Sequence, residues 1–112
     1  MIKAELVLEG GLFRACRITG HANAGKKGSD IVCAAVSVLA RTAYKVLSAK
    51  KGIAVQGDSP ERGEFWMEAA CTASNDIESR EFLAGVGAFL EEGLLSVSNE
   101  YPENCRLSIE ER

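Results

Sequence analysis

The sequence predicts an α+β domain of order ββαββαβ, in which a mixed or antiparallel sheet carries two helices packed on one face. Three observations lead there. Apolar and polar residues alternate at both ends of the chain, at Ile2, Ala4, Leu6 and Leu8 and again at Cys105, Leu107 and Ile109. Two long stretches, near 31–50 and 75–92, carry apolar residues at helical spacing instead. Turn chemistry at Gly10-Gly11 and around Asp58, Pro60 and Gly63 joins strands in pairs. A chain of 112 residues is large enough for one core, so 1–112 is expected to be a single domain.

Each element follows from local chemistry. In the first strand Lys3, Glu5 and Glu9 fill the polar positions, and both glycines of the Gly10-Gly11 turn can take positive φ, as a two-residue hairpin requires. A second strand covers 12–19. After a glycine-containing loop, a helix is expected over 31–50, with Asp30 as N-cap and Gly52 closing its C-terminus. Residues 53–56 read as a short third strand, GDSPERG as a loop, and 64–71 as a fourth strand. A second helix starts near Ser74 or Asn75, where Asn75 and Glu78 suit a capping box. It passes through Gly85 and Gly87 to about Glu92, with Gly93 as its stop, and a last strand covers 105–110.

On a helical wheel Ile31, Ala35, Val38, Leu39, Thr42, Val46 and Ala49 gather on one side, the expected sheet-facing stripe. Cys33 lies roughly opposite, beside Ser37, Ala40 and Tyr44, and is expected to leave the helix towards a polar surface of small residues. Val32, Val36, Ala43 and Leu47 add further apolar surface, more than one sheet contact needs, which suggests a homodimer.

Composition excludes several function classes. A net charge of −3 argues against a general nucleic-acid binder, and Lys26, Lys27, Lys45, Lys50 and Lys51 read as solvated charges. The N-terminus alternates and lacks the hydrophobic region of a signal peptide, and no segment reads as a membrane span, so cytoplasmic residence is the expectation. Cys16, Cys33, Cys71 and Cys105 stand far apart with one histidine in the chain, a poor pattern for zinc; no metal or other cofactor is implied. In a reducing cytosol at least three of the four read as small core hydrophobes.

Residues 20–37, GHANAGKKGSDIVCAAVS, carry the chemistry. GHANAGK fits GxxxxGK, but Lys27 stands where a phosphate loop needs Ser or Thr for magnesium. A structural reading has His21 solvated and Cys33 packed in the fold. A third pairs them: at the N3 position Cys33 would meet unpaired amides and the positive helix end, which favour a thiolate, and His21 could fold back across the loop as its base.

At this point the residues resemble a family. Gly20, His21 and Ala22, then Gly28 and the run Asp30, Ile31, Val32, Cys33, Ala34, Ala35, Val36 and Ser37, look like the signature of the bacterial ribosomal-processing cysteine proteases (Prp). The resemblance extends over the whole chain in length and element order. It implies peptide hydrolysis by a His21–Cys33 dyad, with Gly20, Asp30 and Ser37 in support and Gly25 and Gly28 as hinges of a mobile loop. It also implies a substrate: the N-terminal extension of a large-subunit ribosomal protein at the peptidyl-transferase centre, cut after a pair of phenylalanines. Phe13, Tyr44, Phe65 and Trp66 are candidates for the peptide cleft or for the core. Neither a direct nucleic-acid partner nor a membrane is implied. The rival is a ribosome-assembly factor that binds the same ribosomal protein without cutting it.

Overall fold

Gly10 and Gly11, at φ 58° and 79°, fold β1 (Ile2–Glu9) back onto β2 (Leu12–Thr19). The computed structural model describes residues 1–20, 29–61 and 63–112, Ser29 and Asp30 through their backbone only. The elements follow in the expected order, with α1 (Ser29–Ala49), β3 (Ile53–Asp58), β4 (Glu64–Cys71), α2 (Ile77–Glu100) and β5 (Cys105–Glu111). The strands form one mixed sheet of order β3-β4-β2-β1-β5, in which only the β1–β5 pair is parallel. The β1–β2 register shifts after the Val7–Ala15 pair, leaving Arg14 as the extra residue of a bulge. Its guanidinium donates to the Ala69 carbonyl of β4 at 3.1 Å and stands 3.6 Å from Glu9.

Strand alternation gives the sheet a covered and a bare face. Ile2, Ala4, Leu6, Leu8, Phe13, Cys16, Ile53, Met67, Ala69 and Cys105 are buried under the two helices. Val32, Val36, Ala43 and Leu47 of α1 and Leu83, Val86, Leu90 and Leu94 of α2 meet them there. Each fully buried Leu or Phe contributes roughly 1.5–3 kcal/mol. The opposite residues, such as Lys3, Glu5, Arg17, Glu68 and Arg106, face away from the helices.

Helix α1 turns the other way from the wheel reading. Ile31, Val38 and Val46 are 58%, 64% and 42% exposed, while Val32, Val36, Ala40, Ala43 and Leu47 are buried. Both sides of this helix are apolar, so periodicity could not choose between them; contacts with α2 and β3 did. The same two-sided character makes Ile31–Ala49, 19 residues, long and apolar enough to cross a membrane by length and composition. That differs from the expectation that no segment reads so; here one side of the helix lies on the core.

Boundaries differ by a single residue at the C-terminal ends of α1 and β5 and more consequentially at four other places. Helix α1 begins at Ser29, so Asp30 lies inside the first turn instead of capping it, and Cys33 is the fifth helical residue, not the third. Strand β3 continues past Gln56 to Asp58 because Gly57 and Asp58 pair with Met67 and Trp66. Helix α2 is capped by Asp76, whose carboxylate accepts from the Ser79 amide at 3.2 Å and the Ser79 hydroxyl at 2.6 Å. Glu78 turns instead to Lys50, 2.6 Å away. Gly93 does not stop α2; a Cβ there would lie 2.8 Å from the Leu39 side chain, so the missing side chain serves close helix packing. The helix runs to Glu100, just before Pro102, which cannot continue it.

Candidate active site

The candidate site lies at the end of the sheet where β2 finishes and β4 begins, with Thr19 opposite both Glu64 and Lys3. Gly20 leaves that end at φ 107°, its amide donating to the Gly63 carbonyl at 3.0 Å. A Cβ on Gly20 would collide with the Met1 carbonyl oxygen, and the conformation itself disfavours any side chain. The residue that precedes His21 is thereby tied to the β3–β4 turn on one side and the chain's N-terminus on the other.

Cys33 belongs to the same end. Residue Ile53 of β3 pairs with Cys71, at the far end of β4 from Glu64. The 21 residues of α1 run about 31 Å, returning the chain towards Ile53, so the helix's first turns lie at the Gly20 end. Cys33 is a free thiol, half-buried and packed at the border of the core, and not directed onto an open polar surface as the wheel suggested. Its wheel neighbour Ala40 is buried and Tyr44 half-buried, while Ser37, one turn on, is exposed.

The other three thiols divide. Burial pushes the Cys16 thiol up to about 12, with the Glu5 carboxylate adding to the shift, and burial also raises Cys105. Such thiols stay protonated and inert. Cys71 is half-buried, not enclosed as expected, but it stands at the opposite end of the sheet. His21, Gly25 and Gly28 lie outside the described residues, as does the carboxylate of Asp30, and with them the expected imidazole–thiol pairing and mobile loop. Among the described residues no group of His, Cys, Asp and Glu could hold a metal ion.

Of the aromatic candidates for a cleft, Phe13 is fully buried and Tyr44 and Phe65 half-buried, while Trp66 stands 37% exposed on the bare face. Two contacts of Gly20 join it to residues distant along the chain, Gly63 and Met1. The Gly63 bond to Gly20 had a trace in the turn chemistry of Gly63; the Met1 carbonyl had none.

The sequence profile of the family described as cysteine protease Prp matches residues 1–106. The chain belongs to that family. Like other Prp proteins, it is a cysteine protease. Solved structures share its fold. SMU.848 from Streptococcus mutans is 25% identical, with a TM-score of 0.78, covering 100% of this chain and 96% of its own. The ribosomal processing protease Prp from S. aureus, in complex with a substrate peptide, is 19% identical at a TM-score of 0.78, covering 98% of this chain and 100% of its own. The same S. aureus protease with a covalently linked product peptide gives 22% and 0.75 over the same coverage. No curated protein sequence matches the chain.

Proposed function

We propose that this Prp protein removes the N-terminal extension of a large-subunit ribosomal protein during ribosome maturation in the cytoplasm, using Cys33 as nucleophile and His21 as general base. The observation that carries this reading is the placement of Cys33: a half-buried free thiol in the early turns of α1, at the sheet end where Gly20 hands the chain to His21. That the S. aureus relatives hold a substrate peptide and a covalently linked product peptide supports a peptide substrate.

The chemistry follows from those groups. His21 takes the thiol proton, and the Cys33 sulfur attacks the scissile carbonyl carbon. Unpaired amides at the start of α1 are the candidate donors to the oxyanion. As the tetrahedral intermediate collapses, the imidazolium gives its proton to the departing amine, leaving a thioester on Cys33. Imidazole then takes a proton from water, whose oxygen attacks the thioester and releases the new carboxyl terminus and the thiol. Gly25 and Gly28 serve as hinges for the segment between the two groups, and Asp30 and Ser37 support it.

A homodimer remains part of this reading, with its surface moved: the uncovered apolar stripe is Ile31, Val38 and Val46, not the Val32–Leu47 side. The test of the function is mass spectrometry of the host ribosomal protein's N-terminal peptide after incubation with wild-type protein and with Cys33→Ala. The expected result is cleavage at a single bond, absent in the variant. An uncut peptide that binds both proteins would replace the protease reading with that of a ribosome-assembly factor.

A further inference from the structure

The bare face of the sheet holds a shallow depression of about 480 Å³ that the proteolytic chemistry does not use. Val7 and Ala15, a cross-strand pair, make its floor. Trp66 stands in it, 37% exposed on a surface where the surrounding strand positions are polar. A tryptophan whose immediate strand neighbours are polar loses hydrophobic stabilisation that the covered face would supply, so it fits a surface that takes a ligand better than a solvated one. Glu5, Glu64 and Glu68 line the same depression, and among the described residues none of the three takes part in an ion pair. Glu110 is compensated by Arg112 at 2.6 Å, which leaves Arg17 as the lining cation facing the three free carboxylates. An apolar floor, an aromatic face and excess negative charge together match one chemistry, an alkyl chain ending in a cation.

We infer that this depression binds a lysine- and arginine-rich segment of the protein substrate, at a distance from the scissile bond. The inference rests on the proposed function, because a protein that folds against ribosomal RNA neutralises phosphates and is rich in cations. Position agrees with charge. Thr19 and Glu64 line the depression and form the last register pair before Gly20, so the depression reaches the strand end where the candidate site begins, with Lys3 and Arg106 beside Thr19 on the β1–β5 side of that end. The helix layer lies on the order of 10 Å across the sheet, a span of roughly three or four extended residues at about 3.3 Å each. Removal of an N-terminal extension leaves the body of the substrate on the C-terminal side of the cut bond, so the cationic segment follows that bond by at least this interval.

Two peptides test it: the extension with four residues beyond the cut, and the same peptide continued by four Lys-Gly pairs. The tailed peptide is expected to show about tenfold lower KM at low salt, with the advantage gone near about 0.5 M salt, where screening is nearly complete. In the double variant Glu5→Lys, Glu68→Lys the KM ratio of the two peptides should fall to about one. Equal KM values for the wild-type protein, or an undiminished ratio in a folded variant, would overturn the inference while leaving the protease reading intact. Trp66 is the chain's one tryptophan, so its fluorescence reports binding without any cleavage. Titration of wild-type protein with octalysine should give a saturable, salt-sensitive change. No change overturns the site, as does a Trp66 signal that depends on protein concentration alone, the mark of a second copy on this face. A signal with octalysine but no cleavage of either peptide keeps the cationic site and removes the protease reading.

Discussion

The two ends of the sheet are built alike and serve different ends. Each has a glycine at positive φ, Gly20 at 107° and Gly52 at 92°, and each has a half-buried free cysteine, Cys33 near the first and Cys71 near the second. What the missing side chain makes room for differs. At Gly20 it is a backbone carbonyl, that of Met1. At Gly52 it is the side chains of Ser79 and Asp76, the cap of α2. The Gly52 end is closed further by Lys50, which pairs with Glu78 and lies over the Phe82 ring at 5.8 Å. One end therefore presents a chain segment and a thiol, while the other locks two helices to the sheet. A glycine signal alone does not tell a site from a clamp; its surroundings do.

Substitutions at matched positions sharpen this contrast. The largest effect is expected from the cysteines. Cys33→Ser should reduce kcat by about 10³-fold or more with little change in Tm, whereas Cys71→Ser should keep kcat/KM within about twofold. Peptidase kinetics on the extension peptide checks both, and equal losses would erase the distinction between the ends. Next come the glycines. Gly20→Ala should lower kcat/KM roughly ten- to a hundredfold, since a shift of about 1 Å in a catalytic group has that cost. Gly52→Ala should instead destabilise by about 1–3 kcal/mol through strained backbone, read by denaturant melts, with activity retained below the melting point.

The smallest effect is one of pH. Hydrogen bonds from the Ser79 hydroxyl and amide hold the Asp76 carboxyl below its usual range, with Lys50 also favouring the charged form. A depressed folded pKa contributes stability above the unfolded pKa, and that contribution is lost as pH falls through the folded value. Asp76→Ala should accordingly lower Tm at neutral pH and show a shrinking difference from wild type in acid. A difference that stays constant between neutral and strongly acid pH would remove the carboxylate from the clamp.

Much of the fold could be read along the chain because strands and tight turns record themselves locally. The alternation of Ile2, Ala4, Leu6 and Leu8 and the Gly10-Gly11 pair place β1 and its hairpin where the structure has them. Helix ends were harder. Gly93 looks like a stop because glycine is costly in helices by about 1 kcal/mol, yet contact with Leu39 of α1 reverses its meaning. Asp76 outcompetes Asn75 as cap because it also reaches the Ser79 hydroxyl, which no pairwise box anticipates. For the site, the spacing of His21 and Cys33 along the chain was legible, and Cys33 does stand in the first turns of α1. Its half-burial, and the hold of Met1 and Gly63 on Gly20, come from elements distant in sequence.

By itself the sequence determined the order of elements, the hairpin turn and the run GSDIVCAAVS that ties the chain to its family, all properties of neighbours along the chain. Only the tertiary structure decided which of two apolar sides of α1 meets the core, that β5 lies parallel beside β1, and that Trp66 faces away from both helices. The physical reason is the range of the forces involved. Periodicity and turn conformation are set by each residue and the few around it, whereas burial is shared out among surfaces that meet only when the sheet has formed.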